Sequence, residues 1–283
     1  MSPDSLRNPF HHPDQRTGTP SELTGHFLDS ATTQALTEAL GEEESSKPEP
    51  QQDLPPADIS MSGKEQREVE DETFWPLQRY IEWAKEFGKD ADWVDKTFEF
   101  QKDGTTIVVG DLNLERLKII CLPVGLMEVK GNLDISQNPS LKLNGYPKKV
   151  GGRFECKHNN LSSPQGMPEE IGGYIDLLNN KIISLDGLPN KVIGSLILNQ
   201  NELKNLDGIS KEISVGLDLD NNNQLTSLEA LRGVEIGRNL WLRNIPATEI
   251  PTGIKIGGNI FVRSFQTDLN ADAQAKGYQV KIF

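Results

Sequence analysis

The sequence predicts a repeat solenoid of mainly β structure, with short parallel strands, a small helical and hairpin cap before the repeats, and a disordered acidic N-terminal tail. Two observations predict this fold class. A unit of 21 residues recurs from about Val108 onward, and a fixed period of this length is typical of stacked coils. Within each unit, two apolar residues alternate with their neighbours as in a short strand. We therefore divide the chain into a tail (1–70), an N-terminal cap (71–107), a solenoid (108–264) and a C-terminal cap (265–283).

The tail carries most of the charge of the chain. Residues 1–73 contain 16 acidic and 5 basic residues, so they hold −11 of the net charge of −13. Residues 41–62 are rich in Pro, Glu, Ser and Gln and offer little to bury, which predicts disorder. Between residues 21 and 40, four apolar residues are spaced at roughly helical intervals. This segment is either a short helix that docks on a partner or a transient helix without a role, and we favour the second interpretation.

The N-terminal cap begins at a cluster of aromatic residues. Between residues 75 and 87, the apolar residues follow the i, i+3, i+4 spacing of an amphipathic helix. Pro76 suits the first turn of this helix and Gly88 its end. A second short helix is expected over residues 92–96, and Asp103-Gly104 between two apolar or β-branched runs predicts a hairpin. Three tryptophans fall in this region, and we interpret them as a cover for the apolar end of the solenoid rather than as an aromatic binding site.

The coils share a residue pattern, which we number from the first apolar residue of each coil as position 0. Position 2 is usually glycine, positions 4 and 6 are apolar in every coil, and position 9 is asparagine in five coils. The coils start at Val108, Val129, Val150, Ile171, Val192, Ile213, Ile236 and Ile256. The first five intervals are 21 residues and the last two are 23 and 20, so the register slips after Ile213.

Each class of position in the coil has a physical reason. Positions 4 and 6 point inward from a strand that pairs with the same strand of the next coil, so the strands form a parallel sheet along one side. The asparagine at position 9 lies where the chain leaves the strand, and we expect its amide to bond the turn backbone and the next asparagine as a ladder. The predicted ladder residues are Asn138, Asn159, Asn180, Asn201 and Asn222. Cys121 and Cys156 lie two coils apart, too far for a disulfide, and are expected to be free thiols.

The strand and its asparagine resemble the leucine-rich repeat, whose core pattern is L-x-x-L-x-L-x-x-N-x-L. Ile175-x-Leu177-x-x-Asn180-x-Ile182 and Leu196-x-Leu198-x-x-Asn201-x-Leu203 match the last four positions of that pattern. The first apolar residue departs from the pattern, since it lies nine rather than eight positions before the asparagine. The short unit is similar to bacterial and phage-type variants. It leaves room only for extended or 3₁₀ backbone on the side of the coil opposite the strand. The resemblance implies a scaffold that binds a protein or ligand on the strand face and has no catalytic residues.

The register also gives the residues that point outward from the strands. The predicted partner-binding acids at position 5 are Asp134, Glu155, Asp176 and Asp218. The C-terminal end of the same face has a corner made of Trp241, Arg243, Phe261 and Arg263. Tryptophan and arginine are enriched in binding hot spots. Two interpretations stay open for the corner: a partner binds it, or the C-terminal segment covers it, with Asp268 or Asp272 pairing the arginines. The acids are either a site for a basic partner or a cation, or ordinary solvated surface.

Catalytic patterns are absent from the sequence, which has no phosphate-binding loop, no cysteine pair with zinc spacing and no nucleophile motif. We therefore expect no enzyme activity, no cofactor and no metal. The acidic charge argues against nucleic acid and anionic membranes as partners. The chain has neither an apolar run of membrane-spanning length nor a classical secretory signal. It is expected to be a cytoplasmic monomer or, alternatively, to be secreted by a route that needs no such signal.

These features predict a non-enzymatic scaffold that binds another protein through the strand face. Two alternatives stay open. In one, the protein is a secreted or phage-related effector whose disordered acidic tail carries the activity and whose solenoid is the carrier. In the other, it is a purely structural protein.

Overall fold

The computed structural model of the protein describes residues 73–283. The predicted acidic tail and the helical spacing between residues 21 and 40 lie outside the described residues. Over the described part, the predicted fold class is confirmed. The chain forms a parallel β-solenoid of about eight turns with a repeat of about 21 residues and a small helical cap.

The N-terminal cap consists of two helices and a hairpin. Helix α1 (Leu77–Glu86) follows Pro76 directly. Helix α2 (Ala91–Thr97) is capped by Asp90, whose carboxylate accepts a hydrogen bond from the Trp93 N–H. The antiparallel strands β1 (Glu99–Phe100) and β2 (Thr106–Val108) form the predicted hairpin.

Aromatic side chains join the cap to the first coil. Tyr80 of α1 is fully buried, and its ring lies edge-on to that of Phe98, with the ring centroids 5.0 Å apart. The Tyr80 hydroxyl hydrogen-bonds the Thr106 hydroxyl on β2 at 2.5 Å. Trp75 and Trp83 belong to the same buried cluster as the apolar residues of the coils. The cap therefore extends the solenoid core across its N-terminal end.

The strands at positions 4 and 5 form one continuous parallel sheet of nine strands, which we call the face sheet. Its strands, in spatial order, are β3 (Leu112–Asn113), β5 (Leu133–Asp134), β7 (Phe154–Glu155), β9 (Ile175–Asp176), β11 (Leu196–Ile197), β13 (Leu217–Asp218), β15 (Leu240–Trp241), β17 (Asn259–Val262) and β18 (Gln279–Ile282). Equivalent positions of successive coils pair throughout, as Leu196 pairs with Leu217. The side chains at positions 4 and 6 both point inward, with position 5 pointing outward between them, and they make up most of the core.

A second run of short parallel strands lies on another side of the coils, and the sequence pattern does not predict it. Each strand ends at position 0, and the run is divided into a five-stranded sheet that includes the hairpin and a four-stranded sheet. Its strands are β4 (Leu126–Val129), β6 (Lys149–Val150), β8 (Glu170–Ile171), β10 (Lys191–Val192), β12 (Glu212–Ile213), β14 (Glu235–Ile236) and β16 (Lys255–Ile256). The expectation of a single sheet along one side was therefore incomplete. Most of these strands have two residues, too few to show an alternating pattern.

Glycines form the corner between the two strands of a coil, where the backbones of successive coils approach closely. A Cβ atom on Gly194, at position 2, would lie 2.6 Å from the Tyr174 nitrogen. A Cβ atom on Gly110, at the same position of the first coil, would have nothing within 4 Å. At Gly194 the limit on side-chain size therefore comes from the stacking of its coil on the previous one, although Val215 and Arg238 occupy the same position in later coils.

The late change in register is absorbed on the back of the solenoid. The coil that starts at Ile213 has 23 residues and contains a 3₁₀ turn at Glu229–Leu231. Its face strand nevertheless pairs Leu217 with Leu240, and its side strand pairs Ile213 with Ile236. Both sheets therefore pass through the longer coil without a break in register.

Helix α3 (Thr267–Ala275) closes the C-terminal end of the core. It buries Leu269 and Ala273, and Gly277 with φ of 84° follows the helix and leads into β18. Strand β18 then joins the face sheet parallel to β17. Residues 265–283, which the sequence divides off as a C-terminal cap, therefore contain one helix and one strand.

Candidate binding face

The constant register of the face sheet aligns the outward side chains into columns along the solenoid. The position-5 column reads Asn113, Asp134, Glu155, Asp176, Ile197, Asp218, Trp241, Phe261 and Lys281. Arg243 and Arg263 lie in the adjacent position-7 column. Neighbouring strands are about 4.8 Å apart, so successive members of a column are in contact range. The structure therefore places all the predicted partner-binding residues on one face.

The aspartates of the position-5 column are held by the backbone of their own coils. Each accepts a hydrogen bond from the N–H two residues later, at 2.9 Å for Asp134 and at 3.0 Å for Asp176 and Asp218. This N–H lies just after the short strand. The side-chain oxygen of an Asp or Asn two residues earlier is well placed to accept its hydrogen bond. The acidic column is therefore partly determined by turn chemistry, a signal that the sequence interpretation missed.

Three of the four predicted acids are buried. Glu155 is 6% exposed, Asp176 is 8% exposed and Asp218 is fully buried, whereas Asp134 is half-buried. The interpretation of these three acids as solvated surface is therefore wrong. A buried carboxylate requires compensating hydrogen bonds or charges.

Glu155 is the centre of a charged cluster that supplies this compensation. Its carboxylate lies 2.8 Å from the Arg153 Nε and 2.6 Å from the Lys157 Nζ, and it accepts a 2.7 Å hydrogen bond from the Tyr174 hydroxyl. Burial acts to raise the pKa of Glu155, but the hydrogen bonds from Lys157 and Tyr174 outweigh it and hold this pKa below its usual range. The cluster is therefore neutralised internally, which leaves little charge free for a metal cation.

Asp176 is a weaker acid than Glu155. Its carboxylate lies 3.8 Å from the Lys157 Nζ, farther than that of Glu155. Burial raises the pKa of Asp176 to about 6, although the Leu178 N–H and Lys157 act in the opposite direction. The middle of the strand face is therefore sensitive to mild acid.

The aromatic part of the predicted corner is a stack. The rings of Trp241 and Phe261 are nearly parallel, with centroids 5.3 Å apart, and Phe283 packs on the other side of Phe261 at 5.8 Å. Trp241 is 3% exposed and Phe261 is 5% exposed, whereas Phe283 is 41% exposed. Phe283, which follows β18, is thus the accessible member of the stack, and the sequence interpretation did not include it.

The arginines of the corner do not pair with the C-terminal helix. The Arg243 Nε lies 2.6 Å from Asp220 of the preceding coil, and the Arg243 N–H donates to the same carboxylate at 2.6 Å. Asp272 instead accepts hydrogen bonds from Lys276 and from the Ile250 N–H, on the back of the solenoid. The expectation that Asp268 or Asp272 pairs the arginines was therefore wrong, because α3 lies across the end of the core and not over the face. Arg263 has no salt bridge within residues 73–283.

The five asparagines at position 9 form the ladder behind the face. The Asn180 Nδ2 donates to the carbonyls of Cys156 and Leu177 at 2.9 and 3.1 Å, and its Oδ1 accepts from the N–H groups of Asn159 and Leu161 at 3.0 and 3.1 Å. Asn138, Asn159, Asn201 and Asn222 are also buried and bond backbone groups of their own and neighbouring coils. Between Asn138 and Asn159, and between Asn159 and Asn180, the contact therefore runs from backbone N–H to side-chain oxygen and not from amide to amide.

Gln266 continues this ladder at the C-terminal end. Its Nε2 donates to the Leu242 and Ile245 carbonyls, and its Oε1 accepts from the Asn244 and Arg263 N–H groups. The sequence interpretation missed Gln266, because it lies at position 10 of its coil, where a longer side chain replaces the asparagine.

A groove of about 1010 Å³ runs along the back of the second to fourth coils. It lies between the loops at residues 139–145 and 160–167, with Lys148 and Glu169 at its edge. Lys148 and Glu169 form a salt bridge at 3.2 Å, so these two groups are already paired, and Lys142 is the other charged residue that lines the groove. The face therefore remains the stronger candidate site.

Several kinds of site are not found in residues 73–283. No group of three His, Cys, Asp or Glu side chains there is placed to hold a metal ion. No helix in the same range has both the length and the apolar character needed to cross a membrane. Cys121 and Cys156 are free thiols, and burial raises the pKa of Cys156 to about 12. When it is compared with known proteins, the chain matches no family model, no curated protein and no solved structure.

Proposed function

We propose that the protein is a non-enzymatic scaffold of the leucine-rich-repeat-like kind, which binds another protein through the strand face. The observation that carries this proposal is the set of columns of polar, charged and aromatic side chains in constant register over nine strands. Several members of the position-5 column are buried, whereas Asn113, Asp134 and Lys281 are exposed or half-buried and are held at a fixed spacing on a rigid support. Little conformational freedom is then lost when a partner binds.

The charges along the face indicate the chemistry of the partner. At the N-terminal end, Asp111 and Asn113 are exposed and Glu115 is half-buried. At the C-terminal end, Arg263 and Lys281 have no salt bridge in the described part of the chain. A complementary partner carries basic groups toward β3 and acidic groups toward β18. Nucleic acid and anionic membranes do not have such a division, so a folded protein fits this face better.

The proposal includes a cytoplasmic monomer that needs no cofactor. The net charge of −13 supports a soluble protein that stays apart from polyanions. The internal neutralisation of Glu155 by Arg153, Lys157 and Tyr174 argues for recognition by shape and hydrogen bonds in the middle of the face rather than by metal binding.

Affinity capture with paired variants tests the proposal. Leu178→Glu combined with Arg263→Glu alters two half-buried positions of the face, and Lys181→Glu combined with Lys204→Glu alters two exposed positions of the back. Trp241 is left unchanged because its ring is buried. A protein captured from the native organism is purified, and its affinity for each variant is measured with purified components. We expect it to bind the wild type and the back variant equally and the face variant at least tenfold more weakly. Equal binding to all three would contradict a role of the face.

Deletion of residues 1–70 separates the scaffold from the effector alternative. The excess of acidic residues over residues 1–73 is the observation that favours the alternative. If the protein is a scaffold, the truncated protein still binds its partner. If the tail carries the activity, the truncated protein no longer binds.

A further inference from the structure

The outer edge of β18 carries unpaired backbone groups within the described residues. The Phe283 N–H donates to the Val262 carbonyl at 3.1 Å, and the Ser264 N–H donates to the Phe283 carbonyl at 3.0 Å. Along a strand in a parallel pair, successive residues turn their hydrogen-bonding groups to opposite sides. Since Phe283 bonds toward β17, this alternation turns the N–H and C=O groups of Ile282 and Val280 toward the outer edge, where β18 is the last strand of the face sheet in residues 73–283.

This edge has few of the features that protect edge strands. Strand β18 has four residues, whereas the strands from β5 to β15 have two. It contains no proline and pairs with β17 without a bulge. Ile282 is 51% exposed, although its position corresponds to the inward position 6 of a coil. A straight, partly apolar edge of this kind is a template for a further strand.

The side chains of β18 define which strand fits. Lys281 follows Phe261 in the position-5 column, is exposed, and has no salt bridge within residues 73–283. An acidic residue at the same position of an added strand would pair with it. The residues on either side of that acid would face inward, over Val280 and Ile282, and must therefore be apolar.

The solenoid itself contains strands with this pattern. Leu133-Asp134-Ile135, Ile175-Asp176-Leu177 and Leu217-Asp218-Leu219 each place an aspartate between two apolar residues. All three pair in parallel with strands on both sides. An apolar–Asp–apolar segment is therefore the kind of strand that this sheet geometry already accepts.

We propose that the outer edge of β18 is a docking site for an extended acidic peptide with the pattern apolar–Asp–apolar. The peptide adds to the face sheet as a further strand parallel to β18. Backbone hydrogen bonds to Val280 and Ile282 hold it, and the aspartate pairs with Lys281. The site uses the outer edge of the sheet but shares Lys281 with the strand face, so Ile282→Pro, which leaves the side chains of the columns unchanged, is the variant that separates this proposal from the proposed function.

The probe is a fluorescent peptide with the sequence of residues 213–222, ISVGLDLDNN, compared with a peptide in which the residue at Asp218 is lysine. Full-length protein is used throughout. We expect Lys281→Glu to weaken binding of the aspartate peptide about tenfold, because a cross-strand attraction becomes a repulsion, and to strengthen binding of the lysine peptide. We expect Ile282→Pro to weaken both peptides about tenfold, since it removes an outward N–H while the bonds to β17 remain. Ile282→Val keeps the N–H and serves as the matched control.

Each other result overturns the proposal. If Ile282→Pro binds as tightly as Ile282→Val, the peptide does not use the edge. If the aspartate and lysine peptides bind the wild type equally, Lys281 does not select an acid. If sedimentation shows that the free protein is a dimer that Ile282→Pro dissociates, a second copy occupies the edge instead. The variants at residues 178 and 263 that test the strand face leave Lys281 and Ile282 intact, so the two proposals fail separately.

Discussion

Asn180 satisfies four backbone groups with one buried amide, and the ladder repeats this arrangement from coil to coil. The chain turns sharply after each strand, so these N–H and C=O groups cannot pair with another strand. A buried backbone group without a partner costs about 1–3 kcal/mol. The asparagine is therefore as much a part of the fold as the leucines before it.

Substitution of Asn180 by alanine is expected to lower the free energy of unfolding by about 3 kcal/mol or more, because several buried groups lose their partners together. Urea unfolding measures this change. Asn223→Ala is the control, since Asn223 is exposed in the turn after the ladder residue of its coil. Similar losses for the two variants would show that the ladder contributes little.

Asp176 gives the face a pH dependence with a defined sign. Its pKa of about 6 in the folded protein lies above the unfolded value of about 3.9. The folded state therefore holds the proton over this interval, and the contribution of Asp176 lowers stability as the pH rises from about 4 to about 6. Asp176→Asn removes this contribution.

We expect the difference in unfolding free energy between Asp176→Asn and the wild type to shift in favour of the variant by up to about 3 kcal/mol between pH 4 and pH 7. Denaturant titrations at several pH values measure this shift. A difference that is constant across the interval would mean that the carboxyl of Asp176 titrates alike in the folded and unfolded states.

The ladder could be predicted from the sequence, whereas its last member could not. Asparagine recurs at a fixed distance from the strand, and its amide has both a donor and an acceptor for turn backbone. Gln266 lies one position later in a coil whose register has slipped. Only the three-dimensional structure shows that its longer side chain reaches the backbone carbonyls of the preceding coil. Burial of the acids depends on neighbouring coils in the same way.

At the scale of the element, the corner between the two strands of a coil limits which residues fit. Gly194 and Gly110 occupy the same position, but only Gly194 has the backbone of a previous coil beneath it. Sequence repetition alone treats the two glycines as equivalent. The stacked structure distinguishes them.

Gly194→Ala is expected to destabilise the protein by about 1–3 kcal/mol, the usual cost of overpacking, because its Cβ would lie 2.6 Å from the Tyr174 nitrogen. Gly110→Ala is expected to change stability by less than about 0.5 kcal/mol. Thermal unfolding of the two variants in parallel makes the comparison. Equal losses would place the requirement for glycine in the corner itself and not in stacking.

The face strands were predictable as elements, and the side strands were not. Positions 4 and 6 alternate across a strand in every coil, which is a signal of period 2. A side strand such as Lys149–Val150 has one polar and one apolar residue, and two residues carry no period. The apolar residue nine positions before the asparagine is position 0, and it is the last residue of each side strand.

At the scale of the whole molecule, each coil depends mainly on its two neighbours. In such an assembly, stability is a sum of local terms, and a change at one end does not spread evenly. The end formed by α3 contributes one fully covered leucine, Leu269, which is 1% exposed.

We expect Leu269→Ala to cost about 2–4 kcal/mol locally, as for other buried leucines. Amide hydrogen exchange should become faster in β17 and β18 and stay unchanged in β7 and β9. Exchange that accelerates equally in all four strands would show that the solenoid opens as a single cooperative unit.

The 3₁₀ turn at Glu229–Leu231 has a consequence for how the molecule can change in evolution. Two additional residues enter one coil there, and both sheets keep their pairing. This insertion on the back is thus tolerated, whereas an insertion within a face strand would turn the later side chains of that strand to the opposite face. A gene segment encoding one whole coil can therefore be duplicated or lost without harm to its neighbours. Each duplication would lengthen the strand face by one new row of outward side chains.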